Sequence, residues 1–166
     1  MAAIQKITPF LWFDSACEEA MNYYVSVFPD SKIDQLKYYP EGVTEGPMAG
    51  MEGKVLTGTF TLSGQQFAAL DGGPVFEFSG AVSFMVSCDT QEEIDHYWEK
   101  LSAVPEAEQC GWCKDKFGVT WQVYPAILGE MMMDSDPEKV ARVTSAFMAM
   151  KKFDIAKLRA AYDGTA

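Results

Sequence analysis

Cys110-Gly-Trp-Cys113 places two of the four cysteines at the spacing used for dithiol redox chemistry or for half of a zinc site. A structural zinc ion needs two further ligands, usually Cys or His. The single histidine is His96, and Cys17 and Cys88 belong to other elements. Ordinary buried or half-buried thiols are therefore the stronger reading. Cys110 is the one nucleophile in a distinctive context, and Lys114 nearby would lower its pKa. No histidine stands beside it to act as a base. Asp115 lies in the charged turn Lys114-Asp-Lys116, and Asp71 in Asp-Gly-Gly-Pro. Each carboxylate has a catalytic reading and a plainer one, that of a turn carboxylate bonding nearby amides. Gln122 is a lone amide in the apolar run Val119 to Tyr124. If it faces a pocket, its neighbours decide the chemistry.

Composition narrows the classes. The 166 residues carry a net charge of −11 and a pI of about 4.4. A phosphate backbone or an anionic membrane calls for clustered Lys and Arg, so nucleic-acid and membrane partners are not expected. No run approaches the roughly 20 apolar residues of a membrane span. The start, MAAIQKITPF, has no signal-peptide core, and a cytoplasmic location is expected.

The elements that must position these residues follow from periodicity. Ile4 to Phe13 reads as a strand containing Pro9, and Ser15 with Glu18 as the capping box of a helix striped by Cys17, Ala20, Tyr24, Val27 and Phe28. Ile33 to Tyr39 is a strand. Pro40 to Gly53 holds four glycines and two prolines, and reads either as a lid or as an inert surface loop. Lys54 to Ser63 and Gln65 to Leu70 form a hairpin about Ser63-Gly64. The pattern then returns: a strand from Ala81 to Cys88, a helix capped by Asp89 and Glu92, and a last strand from Val119 to Tyr124. A shift of 74 places Phe10-Leu-Trp12 on Phe84-Met-Val86. A shift of 54 places Gly64 on Gly118 and Phe67 on Trp121. The chain thus reads as two copies of strand–helix–strand–strand–strand about a pseudo-twofold axis. Helices follow after Pro125, capped by Asp136 with Pro137 and by Asp154, and stopped at Gly164. Met131, Met132, Met133, Met148 and Met150 suit adaptable packing, against the sheet or against a second subunit.

These residues resemble the PhnB-like branch of the vicinal oxygen chelate (glyoxalase/bleomycin-resistance) superfamily. The matching stretches are Phe10-Leu-Trp-Phe13, Leu70-Asp-Gly-Gly-Pro74, Ser83-Phe84, Cys110-Gly-Trp-Cys113, Asp115-Lys-Phe-Gly118 with Thr120-Trp-Gln-Val123, and Met150-Lys-Lys-Phe-Asp-Ile155. The resemblance implies an α+β fold of two paired βαβββ modules in a cupped mixed sheet, usually as a homodimer. Residues 1–166 would form one domain, with modules over about 4–74 and 80–125 and helices over about 126–164. The superfamily holds a metal through four residues. Carried over by the two shifts, these fall on Thr8, Ala68, Val82 and Gln122, of which only Gln122 is an ordinary ligand. The resemblance therefore leaves no metal and no cofactor expected. Relatives are often labelled 3-demethylubiquinone-9 3-methyltransferase. A common methyl-donor fold opens on a glycine-rich turn between a parallel strand and a helix, whereas no helical pattern follows Gly72-Gly73-Pro74.

Strand alternation then sketches a pocket wall. Gln122 brings Thr120 and Tyr124; Thr8 brings Phe10 and Trp12; Ala68 brings Leu70; Val82 brings Phe84 and Val86. The expected function is binding of a small apolar or aromatic molecule in an aromatic-lined cup, for instance for sequestration. An enzyme of lyase, dioxygenase or transferase type, acting through Asp71, Gln122, Tyr124, Cys110 or Asp115, is the alternative. A third reading is an interaction module whose cup is filled by its own side chains.

Overall fold

Strands of alternating apolar residues build two small sheets, each with one helix against one face. The computed structural model describes residues 5–165 and divides into two compact units, Met1–Glu77 and Phe78–Ala166. Ile4, the expected start of the first strand, lies outside the described residues.

The first unit runs β1 (Phe10–Phe13), α1 (Cys17–Val27), β2 (Lys32–Tyr38), β3 (Val55–Leu62) and β4 (Gln65–Asp71). Its sheet order is β1-β4-β3-β2, with β1 parallel to β4 and the other pairs antiparallel. Period-2 alternation sends Leu11, Phe13, Phe60, Phe67 and Ala69 to one side, where they are buried with Cys17, Ala20, Met21 and Tyr24 of α1. Tyr24, Phe60 and Phe67 stack in series, with centroids 6.3 and 5.3 Å apart. Each such side chain stabilises the fold by about 1.5–3 kcal/mol relative to exposure. Ser63 and Gly64, with φ of 45° and 87°, make the tight turn between β3 and β4. The cap of α1 differs from the Ser15–Glu18 box. The N-cap is Ala16, without a side-chain bond. The amide of Cys17 instead donates to Asp71 Oδ1, 2.8 Å away. A buried carboxylate at the end of β4 thus does from across the fold what Ser15 was expected to do locally.

The second unit runs β5 (Phe84–Cys88), α2 (Gln91–Leu101), β6 (Trp112–Lys114), β7 (Thr120–Pro125), α3 (Ala126–Met132), α4 (Pro137–Met148) and α5 (Ile155–Asp163). The sheet order is β5-β7-β6, with β7 central, parallel to β5 and antiparallel to β6. The α+β class is as expected. In place of a fourth strand this unit has a 3-10 turn at Pro105–Ala107 and a single bridge between Gln109 and Trp112. Pro105 opens that turn, a position where its missing N–H costs no hydrogen bond and its fixed φ suits the helical start. Ala103 still donates to the Lys114 carbonyl. The α2 capping box is Thr90 with Glu93, one residue beyond Asp89 and Glu92, because the Glu93 carboxylate also takes the Asp89 amide at 2.6 Å. Asp136 caps α4 before Pro137, Asp154 caps α5, and Gly164 ends α5 at φ 71°, all as expected. No helix among the described residues is long and apolar enough to cross a membrane.

Candidate functional site

Gln122 sits at the middle of the central strand of the second sheet, and the register fixes what shares its side. Its Cα partners are Met85 on β5 and Trp112 on β6. Its Nε2 donates to Ser83 Oγ at 2.8 Å. Thr120 and Tyr124, two residues either way, share that face, as alternation predicted. Opposite them lie Lys114 and Ser87. Trp121, Val123 and Pro125 fill the other face, buried with α2. The open face is thus a half-buried amide among Met85 (58% exposed), Trp112 and Tyr124, with hydroxyls at Ser83, Ser87 and Thr120. Tyr124 packs edge-on to Phe153 at 6.2 Å, and burial raises its phenol pKa.

Phe84 and Val86 do not belong to this face. They pair with Trp121 and Val123, and Phe84 lies against the Trp121 ring at 5.5 Å. Val82 is 68% exposed, outside the strand. The cause is one residue. Helices α1 and α2 start at Cys17 and Gln91, a spacing of 74, whereas Phe10 opposite Ala68 matches Met85 opposite Gln122, a spacing of 75. The connection from strand to helix is three residues in the first unit and two in the second. A slip of one residue turns every side chain of a strand to the other face. The counterpart of Thr8 is therefore Ser83, not Val82. Ser83 and Met85 were missed for this reason, and Trp112 because β6 is only three residues long and shows no alternation to read. Burial shows the slip: Cys88 and Phe13 are the buried last residues of their strands, and only a shift of 75 matches them.

The first unit places its expected residues together. Phe10, Trp12, Ala68 and Leu70 share the face of the sheet away from α1. Thr8, half-buried, accepts a hydrogen bond from Gln5 Nε2 at 3.4 Å. The Trp12 indole donates to the Gly73 carbonyl at 3.0 Å and meets the Phe76 ring edge-on at 5.0 Å. Gly72 is required there, since a Cβ would stand 2.1 Å from the indole. The Gly72-Gly73 turn therefore cradles an aromatic side chain, and no helix follows it before α2.

The two carboxylates are spent on backbone and indole donors. Asp71 accepts from the amides of Cys17 and Val55. Asp115 Oδ1 accepts from the amides of Phe117 and Val119 at 2.9 and 3.0 Å, and Oδ2 from the Trp121 indole at 2.8 Å. Both are buried. Cys110 and Gly111 have φ of 49° and 79° and lie between the mutually bonded Gln109 and Trp112. That is the sign pattern of a type I′ hairpin turn. The turn docks the C-terminal helices: the amides of Cys110 and Gly111 donate to the carbonyls of Met150 and Lys151 at 2.9 and 2.7 Å. Cys110 Sγ lies 3.9 Å from Met148 Sδ. Cys113 is buried, and burial, then Asp115 and Glu108, pushes its thiol up to about 12. It is therefore not a thiolate at neutral pH, which dithiol exchange would need.

The superfamily's metal is a fit test for the donor set. With the register corrected, the four positions are Thr8, Ala68, Ser83 and Gln122: two hydroxyls, a methyl and one neutral amide. Such a set does not suit a divalent ion that asks for carboxylate or imidazole ligands. Among the described residues no group of three His, Cys, Asp or Glu could hold a metal.

Helix-backed mixed sheets of this kind, one in each of two units, define the glyoxalase-like class of α+β proteins. Residues 5–124 match the family described as 3-demethylubiquinone-9 3-methyltransferase, and the chain belongs to that family. It is similar to the PhnB protein of Bacillus cereus at 42% identity, over 74% of this chain and 100% of the other, with a TM-score of 0.62. A Pseudomonas aeruginosa protein at 22% identity, covering 74% of this chain and 98% of its own, shares the fold with a TM-score of 0.56. A search of curated proteins found no match.

Proposed function

We propose that this protein binds a small apolar or aromatic molecule on an open sheet face, without a metal ion, the polar anchor being Gln122. One observation carries the reading: Gln122 projects from the central strand onto a face shared with Met85, Trp112 and Tyr124. Aromatic and thioether surfaces supply area for a flat ligand, and one amide supplies orientation. The family description names a demethylubiquinone, whose quinone ring is flat and conjugated, and a flat ligand agrees with it. Chemistry finds less support than binding. Asp71 and Asp115 are committed to internal donors, and the Gln122 face offers an amide, hydroxyls and the Lys114 amine but no carboxylate or imidazole as a base for methylating a phenol.

Thermal shift against a panel of aromatic metabolites tests the reading. A shift that is lost in Gln122→Ala and Trp112→Ala supports it. A panel without any shift overturns it in favour of a filled face. Assembly as a homodimer is part of the same proposal, and sedimentation equilibrium reads it directly.

A further inference from the structure

Thr120 is 7% exposed, and its hydroxyl is a buried side-chain oxygen without a hydrogen-bond partner among the described residues. Such a group is costly, since a hydroxyl taken from water and left unpaired loses its hydrogen bonds to water and gains none. Valine would fill the same space on a β-strand without that loss. Thr120 lies one pleat from Gln122 on the same face, so the two side chains stand roughly 7 Å apart along the strand. Gln122 gives one of its two Nε2 hydrogens to Ser83, and Oε1 remains to accept. The two positions therefore offer different things to one ligand. Oε1 takes a donor, and Thr120 can donate to an acceptor. The neighbour directly opposite Thr120 is Lys114, whose flexible chain can move aside.

We infer that Thr120 is a specificity-determining residue of the Gln122 face, selecting planar aromatic ligands that carry an N–H or O–H donor next to a carbonyl acceptor, as an aromatic lactam does. The inference rests on the binding reading above and adds to it the class of ligand. The unpaired hydroxyl is satisfied when the ligand carbonyl reaches it, and the ligand N–H meets Gln122 Oε1. A ring without the carbonyl leaves Thr120 unpaired and gains nothing from it.

The test uses isoquinolin-1(2H)-one and its N-methyl derivative as probes, with wild type, Thr120→Val and Gln122→Ala compared by calorimetry and thermal unfolding. Thr120→Val should raise the unfolding midpoint of the free protein, because it removes an unpaired hydroxyl, and should weaken lactam binding about tenfold. N-methylation should weaken binding to wild type and make no further difference in Gln122→Ala. A purely structural threonine would move the midpoint alone. Lactam binding unchanged in Thr120→Val, or a lowered midpoint of the free variant, would overturn the inference and leave the binding reading standing. If neither probe nor any other aromatic of the panel binds wild type, both fall together.

Discussion

Asp115 shows how a residue with the profile of a catalytic acid is a structural one. Its carboxylate is buried and accepts three donors, two amides of its own turn and the Trp121 indole. Hydrogen bonds to a charged group contribute about 1.5–3 kcal/mol each, and removing the acceptor leaves buried donors unpaired. Asp115→Ala should therefore lower stability by about 3 kcal/mol or more, read as a fall in urea midpoint at unchanged m-value. Asp115→Asn keeps one acceptor oxygen and should cost less. Asp71→Ala should behave similarly, because Asp71 closes the first turn of α1 and the start of β3 together. The thiols separate just as clearly. Cys17, Cys88 and Cys113 are buried with pKa values pushed up to about 12, while Cys110 is half-buried on a turn. One equivalent of Ellman's reagent should react with the native protein, and the Cys110→Ser variant should take up none before unfolding.

At the scale of elements, the turn Cys110-Gly111 is the fastening of the C-terminal helices. Gly111 has φ 79°, and a Cβ there would lie 2.3 Å from the Phe153 ring and 2.8 Å from the Val123 carbonyl. Gly111→Ala should loosen the connection between α4 and α5. Hydrogen exchange should rise in α5 by at least tenfold, while β7 keeps its protection. This turn also marks how far the sequence was legible. Strand, helix and hairpin positions were readable because the period-2 and period-3.6 patterns are strong in β3, β4, β7 and α2. The caps at Asp136 and Asp154 were readable because they are local. The caps of α1 and α2 were not: one is supplied by Asp71, distant in sequence, and in the other the amides of Asp89 and Thr90 share the Glu93 carboxylate. The site was half legible. Gln122, Thr120 and Tyr124 were placed correctly on one face by alternation alone. Phe84 and Val86 were placed on the wrong side, because a deletion of one residue between strand and helix reverses a strand's faces while leaving its apolar run intact.

At the scale of the molecule, buried thiols link stability to pH. Cys17 belongs to the core of the first unit, and Cys88 and Cys113 to the core of the second. Burial is the largest cause of each raised pKa, and nearby carboxylates add to it: Asp71 and Glu18 for Cys17, Glu93 and Asp89 for Cys88, Asp115 and Glu108 for Cys113. The folded state holds each proton to about 12, whereas the unfolded chain releases it near the ordinary value of 9.0. Between those values the folded protein binds more protons than the unfolded chain, so stability falls as pH rises. Below about pH 9 the thiols are protonated in both states and the contribution is fully present. The urea midpoint should thus be flat in this respect from pH 7 to 8.5 and decline from pH 9 upward. Because two of the three thiols are in the second unit, probes there, such as Trp121 fluorescence, should report the steeper decline. Cys113→Ala should flatten the alkaline slope of that unit while costing some packing at pH 7. An alkaline slope in Cys113→Ala equal to that of the wild type would show that burial of Cys113 is not its source.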